Sequence, residues 1–158
     1  MSDANQLTPG PLTALGLPAP DQIGIVVRDI DEAVARYEPI FGAFQKVDFG
    51  PTEASYRGGP REPYSLKFAF GRTGDLEIEL LEWVSGNTPH RDFIQSGREG
   101  MHHIRFRVDD ADAWVAKLKT CGYEPIWSDR TATPDLAFAY CERPGDPLIV
   151  EVFEYNNP

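Results

Sequence analysis

Two runs of this chain carry the same alternation of apolar and polar positions. Gln22-Ile23-Gly24-Ile25-Val26-Val27-Arg28-Asp29 aligns with His103-Ile104-Arg105-Phe106-Arg107-Val108-Asp109-Asp110, an offset of 81 residues from 22 to 103. Glu77-Ile78-Glu79-Leu80-Leu81-Glu82 aligns with Ile149-Val150-Glu151-Val152-Phe153-Glu154, an offset of 72 residues from 79 to 151. A period of two over such a run is that of a strand. After each member of the first pair the period becomes helical. Asp29-Ile30-Asp31-Glu32 is a capping-box-like start, Ile30, Ala33, Val34, Tyr37 and Phe41 follow at helical spacing, and Gly42 with Pro39 ends the run. In the second half Asp110 caps a stripe of Trp114, Val115, Leu118 and Cys121 that Gly122 stops.

Further strands are expected near 44–49, at 64–70 and 76–81, and again at 124–127, 136–140 and 148–153, with a turn-rich stretch at Gly58-Gly59-Pro60 and a hairpin turn at Pro144-Gly145-Asp146. Thr88-Pro89 reads as the N-cap and first-turn proline of a short linker helix through Ile94, closed by Gly97. Residues 1–20, with Pro9, Pro11, Pro18 and Pro20, read as an extended arm that either stays loose or drapes over a neighbour. The order strand, helix, strand, strand, strand occurs twice. The expectation is an α+β protein of two tandem βαβββ modules, about 21–86 and 101–158, in one domain of 21–158 behind the arm.

Composition narrows the function classes. With 15 basic against 25 acidic side chains, net −10, the chain lacks the basic footprint of a nucleic-acid binder and would be repelled by anionic membranes. No apolar run approaches the roughly 20 residues of a membrane span, and the N-terminus lacks the layout of a signal peptide, so a cytoplasmic protein with small-molecule partners is expected. Cys121 and Cys141 lack metal-type spacing and read as reduced core thiols.

The duplication puts Gln22 and His103 at equivalent places, and likewise Glu79 and Glu151. Residues of equal parity share a strand face, so Glu77, Glu79 and Leu81 point one way and Leu76, Ile78 and Leu80 the other. An acid sharing a face with large aliphatics is paired, liganded or at a solvated cavity. Taken singly, each carboxylate reads as solvent-facing and His103 as a hydrogen-bonded structural imidazole. Their recurrence at matching positions in both halves makes Gln22, Glu79, His103 and Glu151 a candidate constellation.

The whole chain from Gln22 onward resembles the vicinal oxygen chelate superfamily, in which paired βαβββ modules form a cupped mixed sheet around one divalent metal. The segments DQIGIVVRDIDEAVARYEPIFG, GMHHIRFRVDD and LIVEVFEY are most similar to methylmalonyl-CoA epimerases, with GMHHI the most specific part. The resemblance implies metal ligands at Gln22, Glu79, His103 and Glu151, with His103 rather than His102 as the ligand. It also implies a homodimer. Epimerases usually have His at the place of Gln22 and Gln at that of Glu79; the set here resembles that of eukaryotic glyoxalase I. Zn²⁺, Ni²⁺, Co²⁺ or Mn²⁺ suits these donors, and the absence of the first His disfavours a two-His, one-carboxylate iron dioxygenase.

The same resemblance implies proton removal next to a carbonyl through a metal-stabilised enolate, with Glu151 as the base. Lys67 stands where the family's second catalytic Glu is expected and becomes the candidate opposite-side acid or base. Arg105 is expected either to grip a substrate anion or to pair with a neighbouring Glu. Phe68, Phe70 and Tyr140, with Trp83, Trp127 and Phe138, would line a cup suited to an aromatic substrate or a CoA thioester. An epimerase, racemase or isomerase is the first expectation. A glyoxalase-I-like lyase and a metal-free small-molecule binding protein of the same fold are the alternatives.

Overall fold

The structure is a computed structural model that describes Thr8 and residues 10–156. The first module contains β1 (Gln22–Val26), α2 (Ile30–Phe41), β2 (Gln45–Val47), β3 (Thr52–Tyr56), β4 (Arg61–Thr73) and β5 (Leu76–Ser85). A linker helix, α3 (Pro89–Gln95), leads to β6 (Gly100–Arg107), α4 (Ala111–Lys119), β7 (Glu124–Ala132), β8 (Asp135–Glu142) and β9 (Ile149–Tyr155). The two modules join through the antiparallel pair β1 and β6. The architecture is α+β with a duplicated βαβββ unit.

The helix starts repeat the symmetry seen in the strands. Asp29 and Asp110 cap α2 and α4 with their own carboxylates. In addition Glu82 Oε2 accepts the first N–H of α2, from Ile30, at 2.8 Å, and Glu154 Oε2 accepts that of α4, from Ala111, at 2.9 Å. These pairs lie at the same offsets of 72 and 81 residues as the strands. A carboxylate at a helix N-terminus satisfies an otherwise unpaired donor and meets the positive end of the helix dipole.

Strand parity sorts two kinds of core. Ile78 and Leu80 face outward and pack under α2 with Val27, Ile30 and Ala33. Val150, Val152, Ala137 and Ala139 do the same under Trp114 and Leu118 of α4. Residues of the other parity face inward, and α3 plugs one end of that interior by packing Phe93 against Val26 and Leu81.

Three features differ from expectation. The N-terminal arm contains a short helix, α1 (Pro11–Ala14), and its Leu12 and Leu17 pack on the second module's own core, so this part is docked rather than extended; Pro9 lies outside the described residues. Strand β3 has no counterpart among the expected strands, because Thr52–Tyr56 offers only Ala54 as a fully buried side chain and takes its order from pairing with β4 and β7. Its pairing with β7, at Ser55↔Ser128 and Tyr56↔Trp127, curls the cup into an eight-strand barrel in which β2 and β3 form one interrupted edge of β4. A closed sheet has little open edge for a second chain to pair with. Among the described residues no helix is long and apolar enough to cross a membrane.

Candidate metal centre

Four adjacent strands, in the order β9, β6, β1, β5, each present one of the duplicated positions to the barrel interior. Glu79 of β5 and His103 of β6 flank Gly24 of β1, and Glu151 of β9 lies beside Arg105, two residues beyond His103. His103 is fully buried, Gln22 is 1% exposed, and Glu79 and Glu151 are each 7% exposed. His103 Nε2 lies 3.2 Å from Glu79 Oε2 and 3.3 Å from Glu151 Oε2.

The electrostatics of this cluster call for a positive charge. Burial opposes a charge on His103, but hydrogen bonds to Glu151 and Glu79 outweigh it and push the imidazole up to about 9. Burial drives the Glu79 carboxyl upward against the pull of His103. Gln22 adds a neutral donor whose orientation is forced. Its Nε2 donates to Glu77 Oε1 at 2.6 Å, and since only the nitrogen end can donate to a carboxylate, Oε1 is turned away from Glu77. That oxygen is buried without a hydrogen-bond partner. An orphaned amide oxygen on β1, the strand next to that of an imidazole nitrogen shared by two buried carboxylates, has the donor chemistry of a divalent cation site, and these residues fit such an ion.

Gly24 makes the arrangement sterically possible. A Cβ on Gly24 would come within 1.9 Å of His103 Cε1, so the imidazole occupies the space that any other residue would fill. The remaining shell is aromatic. Tyr140, opposite Glu151 in the β8 and β9 pairing, places its hydroxyl 3.4 Å from His103 Nε2 and 3.1 Å from His90 Nε2. His102 Nδ1 lies 3.1 Å from His103 Nδ1. Burial holds His90 and His102 well below the ordinary histidine range, with neighbouring imidazoles adding to it, and burial raises the Tyr140 phenol well above its ordinary value.

Of two further expected site residues one stands elsewhere and the other is engaged within the protein. Lys67 pairs in register with Glu82 and its ammonium lies 3.5 Å from that carboxylate, on the outward face under α2; an odd position on β4 points away from Glu79, whose register partner is Phe70. It therefore does not face the site. Arg105 faces inward, but its guanidinium is engaged by Asp21 through Nε at 3.0 Å and Nη2 at 2.9 Å, with Glu77 at 3.6 Å and the Phe153 ring beneath it. The forked contact expected for a substrate anion is made within the protein instead. Phe70 and Phe68 do face inward, stacked at 6.0 Å with Phe49 edge-on to both.

Sequence reasoning missed His90, His102, Glu77 and Gly24 as members of this cluster. His102 was passed over beside its neighbour, while His90, on the linker helix, reaches Tyr140 only through the fold. His90, His102 and His103 also hold one ring nitrogen each within 4.8 Å of one another.

A duplicated βαβββ barrel with an inward set of metal-type donors defines a class, and comparison places the chain in it. The chain belongs to the Glyoxalase/Bleomycin resistance protein/Dioxygenase superfamily, whose model matches residues 21–140. It is 31% identical over 100 residues to the mitochondrial methylmalonyl-CoA epimerase of Homo sapiens, covering 63% of this chain and 51% of the relative. The chain thus spans about half the length of that relative. Uncharacterized protein YwbC of Bacillus subtilis is 29% identical over 136 residues, covering 85% of this chain and 95% of the relative. Among solved structures, methylmalonyl-CoA epimerase from Mycobacterium tuberculosis superposes with a TM-score of 0.63 at 20% identity, covering 89% of this chain and 90% of the other.

Proposed function

We propose that this chain is a divalent-metal-dependent epimerase, racemase or related isomerase that moves a proton on the carbon next to a carbonyl. The carrying observation is the inward donor set: an imidazole nitrogen shared by Glu79 and Glu151, with the unpaired Gln22 Oε1 on the neighbouring strand. In this reading Gln22, Glu79, His103 and Glu151 hold one Zn²⁺, Ni²⁺, Co²⁺ or Mn²⁺ ion. When bound, such an ion supplies Lewis acidity that lowers the cost of negative charge on the carbonyl oxygen. Glu151 takes the proton from the adjacent carbon; buried inside the barrel, its carboxylate meets little competing water. Glu79, bonded to the same imidazole, is the second carboxylate able to return a proton, in place of the outward-facing Lys67.

The inward, stacked Phe68 and Phe70, with the exposed Phe49 edge-on to both, support an apolar or aromatic group on the substrate. The epimerase relatives support a carbonyl compound with an acidic adjacent C–H, a CoA thioester included. The test is incubation of the metal-loaded protein in D₂O with methylmalonyl-CoA, aromatic ketones bearing an adjacent stereocentre, and 2-hydroxyketones. Deuterium should enter next to the carbonyl, and Glu151→Gln should abolish the exchange. Uptake of no metal, together with no exchange across the panel, would leave a binding protein of the same fold.

A further inference from the structure

The buried pair of Tyr140 and His90 has no part in the mechanism above, yet Tyr140 is the register partner of Glu151 and its hydroxyl lies 3.4 Å from the same His103 nitrogen that Glu151 meets. We infer that Tyr140 is a catalytic hydrogen-bond donor to the substrate's carbonyl oxygen, and that His90 is the positioning residue that turns its O–H into the barrel. This deepens the carbonyl reading above and rests on it.

His90 is fully buried, its Nε2 lies 3.1 Å from Tyr140 Oη, and its Nδ1 has no hydrogen-bond partner. A neutral imidazole carries one N–H. If the proton sat on Nδ1, a donor would be buried with nothing to receive it. On Nε2, only a lone pair is left over, which is the less costly orphan. The favoured tautomer therefore donates from Nε2 to Tyr140 Oη, and the phenol must direct its own proton elsewhere.

The other group within reach is His103 Nε2 at 3.4 Å, and that nitrogen already faces Glu79 and Glu151. Whether it carries a proton between those carboxylates or ligates an ion, its lone pair is taken. Among the described residues no other group is found within hydrogen-bond distance of the phenol, so its proton is left for an oxygen brought to the side of the barrel that Glu79 and Glu151 share. The ring cannot swing away, since Trp127 stands edge-on at 4.9 Å and His103 is tilted against it at 4.7 Å. A fixed hydroxyl whose proton lacks an acceptor is a site for an oxygen that gains negative charge during reaction.

The wild-type protein gives the first test. Two-bond ¹H–¹⁵N NMR of the zinc-loaded protein should show His90 protonated at Nε2; protonation at Nδ1 would overturn the inference without any variant. Acetohydroxamate, a chelating mimic of a charged carbonyl oxygen, gives the second by calorimetry on zinc-loaded protein. Tyr140→Phe should weaken acetohydroxamate roughly tenfold, the loss of one hydrogen bond to a charged group, while leaving zinc affinity within about threefold. His90→Gln, which keeps a donor near the Nε2 position, should bind acetohydroxamate like wild type, and His90→Leu should not. Unchanged acetohydroxamate affinity in a folded, zinc-binding Tyr140→Phe protein sinks the role of Tyr140 alone. Failure of the wild type to bind zinc, nickel, cobalt or manganese sinks the metal reading and this inference with it.

Discussion

The imidazole of His103 lies over the backbone of Gly24 on the neighbouring strand, where a methyl group would come within 1.9 Å of Cε1. The two residues are register partners across the junction of the modules, so the absence of a side chain on β1 is what lets the β6 imidazole reach both carboxylates. Gly24→Ala should therefore displace the ring or the strand, at a cost of about 1–3 kcal/mol from overpacking, and should abolish metal-dependent stabilisation. Thermal melting with and without Zn²⁺ checks both. A variant with the wild-type melting temperature and zinc response would contradict the close approach.

Metal loading should itself stabilise the fold. An ion that binds the native state alone raises stability by about 2.7 kcal/mol at a free concentration roughly a hundredfold above Kd. Gln22→Ala should reduce that gain and Glu151→Ala should remove it, because a buried carboxylate contributes charge where the amide contributes only a dipole. Elemental analysis gives the stoichiometry, expected at one ion per chain.

The hydrogen bond from Gln22 to Glu77 predicts an indirect effect. Glu77→Leu frees the Gln22 amide to rotate, so metal affinity should fall by roughly ten- to a hundredfold through lost orientation of that ligand, although Glu77 itself is not in the donor set. Calorimetric titration with Zn²⁺ measures it.

Lys67→Ala should leave deuterium exchange within about twofold of wild type, since its ammonium lies beside Glu82 on the outer face. Loss of one direction of epimerisation in this variant would restore Lys67 to the chemistry.

Glu154 predicts an acid limb of stability. Its carboxyl is held down to about 2 from the ordinary 4.5, by Arg130 first and then by the N–H of Ala111. A depressed folded-state pKa stabilises the protein above the unfolded value, and that contribution is lost as pH falls from about 4.5 towards 2. Denaturant titrations across this range should show falling stability in wild type and a flatter curve in Glu154→Gln, which starts lower at neutral pH.

Much of this protein is written locally. Strand parity alone separated Glu79 from Ile78 and Leu80, and the caps Asp29, Thr88 and Asp110 were each readable from the residue and its apolar followers, because capping and alternation depend on neighbours a few positions away. The duplication brought Gln22, Glu79, His103 and Glu151 into view by the same means. Strand β3 was not readable, since a polar run with one buried alanine becomes a strand only when β4 and β7 supply its hydrogen bonds. The side on which Lys67 lies followed from its register with Glu82, and the engagement of Arg105 from its meeting with Asp21, 84 residues away in sequence. The contact of His90 with Tyr140 likewise spans 50 residues. Pattern reports which face a residue prefers; only closure of the barrel decides which distant side chains share the space inside it, because that depends on long-range pairing and packing that no local period encodes.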